Sequence, residues 1–309
     1  MKRPITPLTI IFLVLIIPST GNTQNYFYNS RYYEPSLLWE AGISIGGMNC
    51  LTDLGGNKGP GRYFIKDINI TNTRFCGAAY VHALFNNIIG GRIEFTIGQV
   101  KAYDSILKTD NSVARYRYQR NLQFRSMIAE FSLVGEWYFL SQLMQQTQDK
   151  IPLWSPYLLT GISVFHFDPQ ASLNNNWISL RPLHTEGQGF KEYADRNTYS
   201  LTQFNLPIGL GFRYELSAQL NLQAEVVHRM LFTDYLDDVS TKYIDQSLFD
   251  YYLDPKNSSI AKQLADRRLN INSNAGNLSE LQRGDPSKKD AFFSFNIKIA
   301  VVLNREKRF

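Results

Sequence analysis

Four histidines, two cysteines and one tight run of aspartates are the residues of this chain whose chemistry could go beyond packing. His166 and His184 stand near Ser163 and Glu186 in sequence. A base beside a hydroxyl, with an acid behind it, is the arrangement of nucleophilic hydrolysis. No nucleophile-elbow motif accompanies them, and so few histidines acquire such neighbours by chance. His82 lies beside a short turn, and His228 falls on the apolar side of an alternating segment, where an interfacial or strand-end place is expected. Catalysis and a cofactor are therefore not expected. Asp234, Asp237 and Asp238 follow one another within Thr233-Asp234-Tyr235-Leu236-Asp237-Asp238. Three carboxylates can ligate calcium, but the glycine and terminal glutamate of a calcium loop are missing. Capping of backbone N–H groups at the start of a loop is expected instead, and no metal. Cys50 and Cys76 are too few for a disulfide framework or a four-ligand zinc site. They could stand opposite each other in an antiparallel pair, where a bridge would be worth about 2–4 kcal/mol. They could equally remain two small unpaired residues.

The elements that carry these residues announce themselves by alternation. From Gln203 to Tyr214 one face reads Phe204, Leu206, Ile208, Leu210, Phe212 and Tyr214, and the other Gln203, Asn205, Pro207, Gly209, Gly211 and Arg213. Aromatics lie toward the ends of the apolar face and aliphatics in its middle, the order that two interfacial girdles around a hydrocarbon band require. The same period of two runs through Trp39–Ile45, Ile89–Ile97, Met127–Trp137, Leu220–Met230 and Phe293–Leu303. Phe75–Phe85 and Tyr157–Phe167 are strand-like, although their faces are not assignable. Together they make eight strands. Short links at Asn86-Asn87, Ser217–Gln219 and Ser141–Pro152 alternate with long polar segments at 51–73, 101–122, 168–200 and 232–290. Short turns at one end and long loops at the other are the asymmetry of outer-membrane barrels. The last loop is long enough to need structure of its own, and Ser258 ahead of Ile260 and Leu264 reads as the cap of a short helix.

The polar faces carry Glu40, Arg92, Glu94, Glu130, Glu136, Arg213, Glu225, Arg229 and Lys298. A soluble barrel would bury the apolar faces and show these. With the apolar faces in lipid, they instead fill the interior as a self-neutralising network, and eight strands leave room only for side chains. The lumen should be plugged. The expected fold is thus all-β, an eight-stranded antiparallel transmembrane barrel with a polar filled interior and long extracellular loops. A soluble β-sandwich with one wet face is the competing architecture.

The start of the chain supports export. Lys2 and Arg3 precede an apolar run from Leu8 to Ile17, and Ser19 and Gly21 offer small residues for a leader peptidase. A leader over 1–21, a periplasmic segment over 22–36 and a barrel over 37–309 are expected, with no lipid anchor because no cysteine follows the run. Net charge is +5 and the isoelectric point about 9.0. Part of that excess sits in the leader and in Arg305, Lys307 and Arg308. No basic stripe with interleaved aromatics remains, so nucleic acid is not an expected partner. The terminal Phe309 resembles the recognition signal of barrel-assembly machinery, although the charged run before it interrupts the alternation.

Several stretches resemble a Bacteroidota outer-membrane barrel family catalogued mostly as a domain of unknown function. They are Gly46–Gly56, Ser112–Phe124, Tyr157–Ala171, Thr185–Gly189, Leu264–Arg267 and, most telling, Leu231-Phe232-Thr233-Asp234-Tyr235-Leu236-Asp237-Asp238-Val239-Ser240. The resemblance covers nearly the whole mature chain. That family includes proteins similar to PorG of the type IX secretion system. It implies a structural or anchoring role, with periplasmic ring or lipoprotein components as partners beside membrane lipid and the barrel-assembly machinery. Two alternatives remain: a surface ligand binder or adhesin using loops 168–200 and 232–290, and an envelope hydrolase.

Overall fold

Alternating sequence becomes alternating burial wherever it was read. In the computed structural model, which describes residues 35–55, 69–107, 112–146, 153–271 and 281–305, the strands are β1 (Leu37–Leu51), β2 (Arg74–Phe85), β3 (Ile89–Tyr103), β4 (Gln123–Trp137), β5 (Trp154–Phe167), β6 (Gln170–Leu173), β7 (Asn176–Ser179), β8 (Thr202–Glu215), β9 (Leu220–Leu231) and β10 (Ala291–Val302). The expected leader and Phe309 lie outside the described residues. Apart from the short β6 and β7, each strand pairs antiparallel with its neighbours, and β1 pairs with β10 from Glu40↔Val302 to Leu51↔Ala291. That last ladder closes an eight-stranded barrel, so none of the eight barrel strands is left as an edge strand. β6 and β7 form a hairpin that leans on β4 through Arg125↔Gln170.

The exterior is apolar. Ile43 is 60% exposed, Ile162 59%, Leu210 61% and Phe204 64%, in a chain where Glu40 and Glu130 are at 0%. Each such side chain would gain about 1.5–3 kcal/mol on leaving water, and the belt is continuous round the barrel. A water-soluble protein does not carry such a belt; a membrane-spanning one requires it. Trp39, Trp137, Trp154 and Phe212 stand at one rim, with Trp154 and Phe212 stacked at 5.8 Å, and Phe75 and Phe204 stand at the other. No described helix is long and apolar enough to cross a membrane.

One end of the barrel bears short links. Asn86 and Asn87 turn β2 into β3 with positive φ of 49° and 56°, a conformation asparagine tolerates better than other side chains. The β4–β5 link at the same end holds a short helix, Phe139–Gln146. At the opposite end the loops fold. There α1 (Ser112–Arg120) follows β3, and α3 (Ser247–Tyr252) and α4 (Pro255–Ala265) lie between β9 and β10, the Phe139–Gln146 helix being α2. The helix expected from Ser258 thus begins earlier. Asp254 caps it by accepting from the N–H groups of Lys256 and Asn257, with Pro255 in the first turn, where its missing donor costs nothing. Ser258 sits inside the helix and donates to Asp250.

The interior is polar over most of its length, as expected, and apolar at one end. Val100, Phe124, Phe165, Phe167, Leu231 and Phe292 fill the end nearest the folded loops, joined there by Leu54, Leu236 and Val239 from the loops themselves. The polar network occupies the rest. β5 explains why its faces were not readable: Tyr157, Leu159, Phe165 and Phe167 point inward and Leu158, Ile162 and Val164 outward, so both faces are apolar.

Candidate functional site

Strand parity sends Glu40, Arg92, Glu94, Glu130, Glu136, Arg213, Glu225, Arg229 and Lys298 to the inner face, and all nine are buried. Arg92 is the centre. Its Nη1 lies 2.5 Å from Glu136 Oε1 and 2.6 Å from Glu225 Oε1, while its Nε faces Glu94 Oε2 at 3.1 Å. Lys298 Nζ joins Glu94 to Glu225 at 2.5 and 2.9 Å. Toward the short-turn end Arg213 Nη2 meets Glu40 Oε1 at 2.6 Å. Toward the loops Arg229 Nε meets Glu130 Oε2 at 2.7 Å, and Asn205 Nδ2 donates to the other oxygen. Five carboxylates against four strong cations leave one charge over. His82, which the sequence reading assigned only to a turn, stands between Glu40 (Nδ1, 3.1 Å) and Glu136 (Nε2, 3.2 Å). Doubly protonated, it is the fifth cation.

Neutral donors complete the packing. Tyr138 donates to Glu136 at 2.7 Å, and Tyr157 to Glu225 at 2.5 Å. Tyr157 lies flat against Gly211, where a Cβ would collide with its ring, so Gly211 is what lets the ring cross the lumen. Among the described residues these side chains fill the lumen, as a barrel of this width allows.

Over the apolar end sits a cap made from all four long loops. Glu186 accepts from the Ser240 and Thr241 N–H groups at 3.0 and 2.9 Å and from Arg283 Nη1 at 2.8 Å. Arg283 Nη1 also donates to the Asp238 carbonyl. Arg120 reaches Asp104, the Arg283 carbonyl and the Asp53 carbonyl. Eight positions spread from 53 to 283 therefore meet in one knot. Beside it Ala171, Leu180, Leu183 and Phe190 pack with Ile244, Phe249, Ala261 and Leu264 as a second apolar core, and Phe190 stacks on Tyr252 at 4.1 Å. Nothing in the sequence reading named Glu186, Arg120 or Arg283 as joined. The family-like stretches Ser112–Phe124 and Thr185–Gly189 contain Arg120 and Glu186, but no stretch contains Arg283.

The Thr233–Asp238 segment lies at the base of this cap. Thr233 Oγ1 accepts from Tyr235 N–H, Tyr235 stacks on Tyr199 at 4.9 Å, and Leu236 is fully buried. Asp237 accepts from the N–H groups of Val239 and Leu54, Asp238 from Thr185 and Tyr199, and Asp234 from Ser240. The three aspartates thus act as acceptors that hold loops together. Burial raises all three above the ordinary carboxyl range: Asp234 to about 7 and Asp238 to about 6, with Arg283 opposing the rise at Asp238. Asp237 and Asp290 are pushed up by burial first, Asp237 then by Asp53 and Asp290 by Asp237. Among the described residues no group of three His, Cys, Asp or Glu is arranged to hold a metal ion.

The remaining candidates come apart. Cys76 is opposite Gly46, and Cys50 lies four residues further along β1, roughly 13 Å at 3.3 Å per residue. Both thiols are free; Cys50 approaches the Lys101 carbonyl and Cys76 the Asn296 side chain, so the bridging alternative fails on register. Ser163 points inward to Ser132, whereas His166 points outward and meets Thr202. His184 meets the Gln188 carbonyl, and Glu186 is committed to the cap. The sequence neighbours that suggested a hydrolytic set do not meet.

One family model covers most of the chain. The family described as a domain of unknown function, DUF6089, matches residues 29–251. No curated protein matches the sequence. Among solved structures, Neisserial surface protein A is similar at 8% identity, covering 87% of this chain and 98% of its own, with a TM-score of 0.37. Ail of Yersinia pestis, solved with the heparin analogue sucrose octasulfate, is similar at 9% identity, 86% and 99% coverage and a TM-score of 0.35. OprG of Pseudomonas aeruginosa stands at 10%, 86%, 92% and 0.32. The barrel assignment rests on the hydrogen-bonded ladder of this chain and not on these likenesses.

Proposed function

The chain belongs to the DUF6089 family, and from that premise we propose that it is a non-conducting outer-membrane barrel that works as a structural or anchoring component through its surfaces. The observation that carries this reading is the sealed lumen: the Arg92 network fills the middle, aromatic side chains fill the cap end, and the four-loop knot covers it. Such a barrel offers neither a channel nor an open cleft in which to hold a substrate, and the reading assigns it no catalysis. On loop length the cap end faces outward and the short turns face the periplasm. Export by a cleaved leader over residues 1–21, and insertion by the barrel-assembly machinery, belong to the same reading.

In its finer form the reading makes the chain a PorG-like subunit of the type IX secretion system, held to periplasmic ring or lipoprotein components. The resemblance of Leu231–Ser240 supports this, since those residues sit where the loops are tied together. The ordered second core in the cap favours the alternative of a surface binder, because residues 168–200 and 232–265 present a shaped outer face. Two measurements test these readings, the first the sealed lumen that both share and the second the secretion role. Planar-bilayer recording on the purified chain should give no steady conductance; stable openings refute the sealed lumen. Crosslinked envelopes, affinity-purified through a tag on the chain, should yield periplasmic ring or lipoprotein partners. Their absence removes the secretion role and leaves the barrel.

A further inference from the structure

The outward positions of the eight barrel strands hold almost no charge. Reading each strand by its exposed parity, the only Lys, Arg, Asp or Glu among them are Lys101 on β3 and Arg125 on β4. These two are direct partners in the β3–β4 ladder, one step beyond Gln99↔Met127 and thus just past the apolar belt at the cap end. Directly opposite side chains have Cβ atoms about 4.5–5.5 Å apart, and like charges so placed repel. No carboxylate among the described residues pairs with either. Randomly placed headgroup anchors would be scattered round the rim, whereas both cations stand on one strand pair.

The surroundings hold the pair in place. Arg125 lies over the Trp177 ring at 4.0 Å and donates from Nε and Nη2 to Gln170 Oε1, both at 3.3 Å. Lys101 Nζ lies over the Tyr103 ring at 5.0 Å. Trp177 and Gln170 belong to the β6–β7 hairpin, so that hairpin orients the guanidinium. Both long stems can lie along apolar wall while their heads reach the headgroup layer. Two cations at directly paired positions of that depth, one of them a planar guanidinium, suit the oxygens of a phosphate ester.

We propose that Lys101 and Arg125 form a binding site for the phosphate of an anionic lipid in the outer leaflet. The proposal rests on the outer-membrane reading with the cap outside. The full mature chain, refolded in dodecyl maltoside, is titrated with monophosphoryl lipid A and with its dephosphorylated form, and bound lipid is read by native mass spectrometry. The chain should bind the phosphorylated lipid at least tenfold more tightly than the Lys101→Gln/Arg125→Gln variant does, and that advantage should vanish for the dephosphorylated lipid. Equal binding by chain and variant, or no dependence on the phosphate, overturns the site. Lys101→Gln alone, which disturbs only the Tyr103 contact, should give a smaller loss in the same direction and serves if the double variant fails the heat-modifiable migration of a folded barrel. Quenching of tryptophan fluorescence by brominated acyl chains in vesicles is measured alongside. Its absence in both proteins overturns the membrane premise itself, an outcome distinct from quenching with equal lipid binding.

Discussion

Replacing Arg92 by methionine tests whether the lumen is held by its ions or merely filled. Arg92 is 2% exposed and touches three carboxylates, those of Glu94, Glu136 and Glu225, through Nε, Nη1 and Nη2. Methionine keeps much of the volume and removes the charge, so five carboxylates would face three strong cations and His82. Removing one partner of a buried ion pair costs about 3–5 kcal/mol, because the other charge stays buried without compensation. Lys298 still reaches Glu94 and Glu225, and Tyr138 still donates to Glu136, which argues for the lower part of that range. The assay is guanidinium unfolding in lipid vesicles, followed by tryptophan emission and by heat-modifiable migration. Arg92→Met should lower stability by about 3 kcal/mol. Adding Glu225→Gln should then cost less than it does in the parent, with a coupling of about 0.5–3 kcal/mol. An Arg92→Met barrel within about 1 kcal/mol of the parent, or a second change that simply adds its full cost, would show that volume and not charge holds the lumen.

Gly211→Ala should destabilise the barrel by about 1–3 kcal/mol through overpacking against Tyr157, read in the same unfolding assay; a neutral result would mean that the ring can swing aside. Phe190→Ala should cost about 3–5 kcal/mol of cap stability, seen as protease nicking within 245–271, while the barrel keeps its heat-modifiable migration; loss of both together would refute an independent second core. The cap should also depend on pH. Asp234 and Asp238 titrate near 7 and 6 when folded against an ordinary value of 3.8, so the folded cap holds protons that the unfolded loops release. Their contribution is fully present below about pH 4 and is lost as pH rises through 6 and 7. Protease resistance of the cap should therefore be greater at pH 5 than at pH 7.5, and Asp234→Asn should flatten the difference. A cap more labile at pH 5 would reverse the sign and defeat the argument.

How much was legible depended on whether a strand's two faces differ in chemistry. β8 could be read at once because Pro207, Gly209 and Gly211 face Ile208, Leu210 and Phe212. β5 could not, since inward Phe165 and Phe167 are as apolar as outward Val164 and Ile162; the reason is the apolar plug, which exists only because Leu54, Leu236 and Val239 return over the barrel. His82 was missed for a related reason. Its parity puts it inward with Tyr80 and Leu84, but its role depends on Glu136 of a strand two places away. Glu186, Arg120 and Arg283 carried no periodic signal at all, because loop contacts across such separations follow no period. The disulfide alternative failed by four residues of register, a quantity fixed by the whole ladder and not by the two cysteines.

The knot in the cap has a consequence for how the chain is made. Arg283 is donated by the segment that leads directly into β10, the strand that seals the barrel against β1. Asp53, Arg120 and Glu186 are all delivered earlier in the chain, but the link from Arg120 to Glu186 that runs through Arg283 cannot form until that last piece arrives. Threading through the membrane must therefore be finished before the lid can lock, and the act that completes the wall also brings in the bolt.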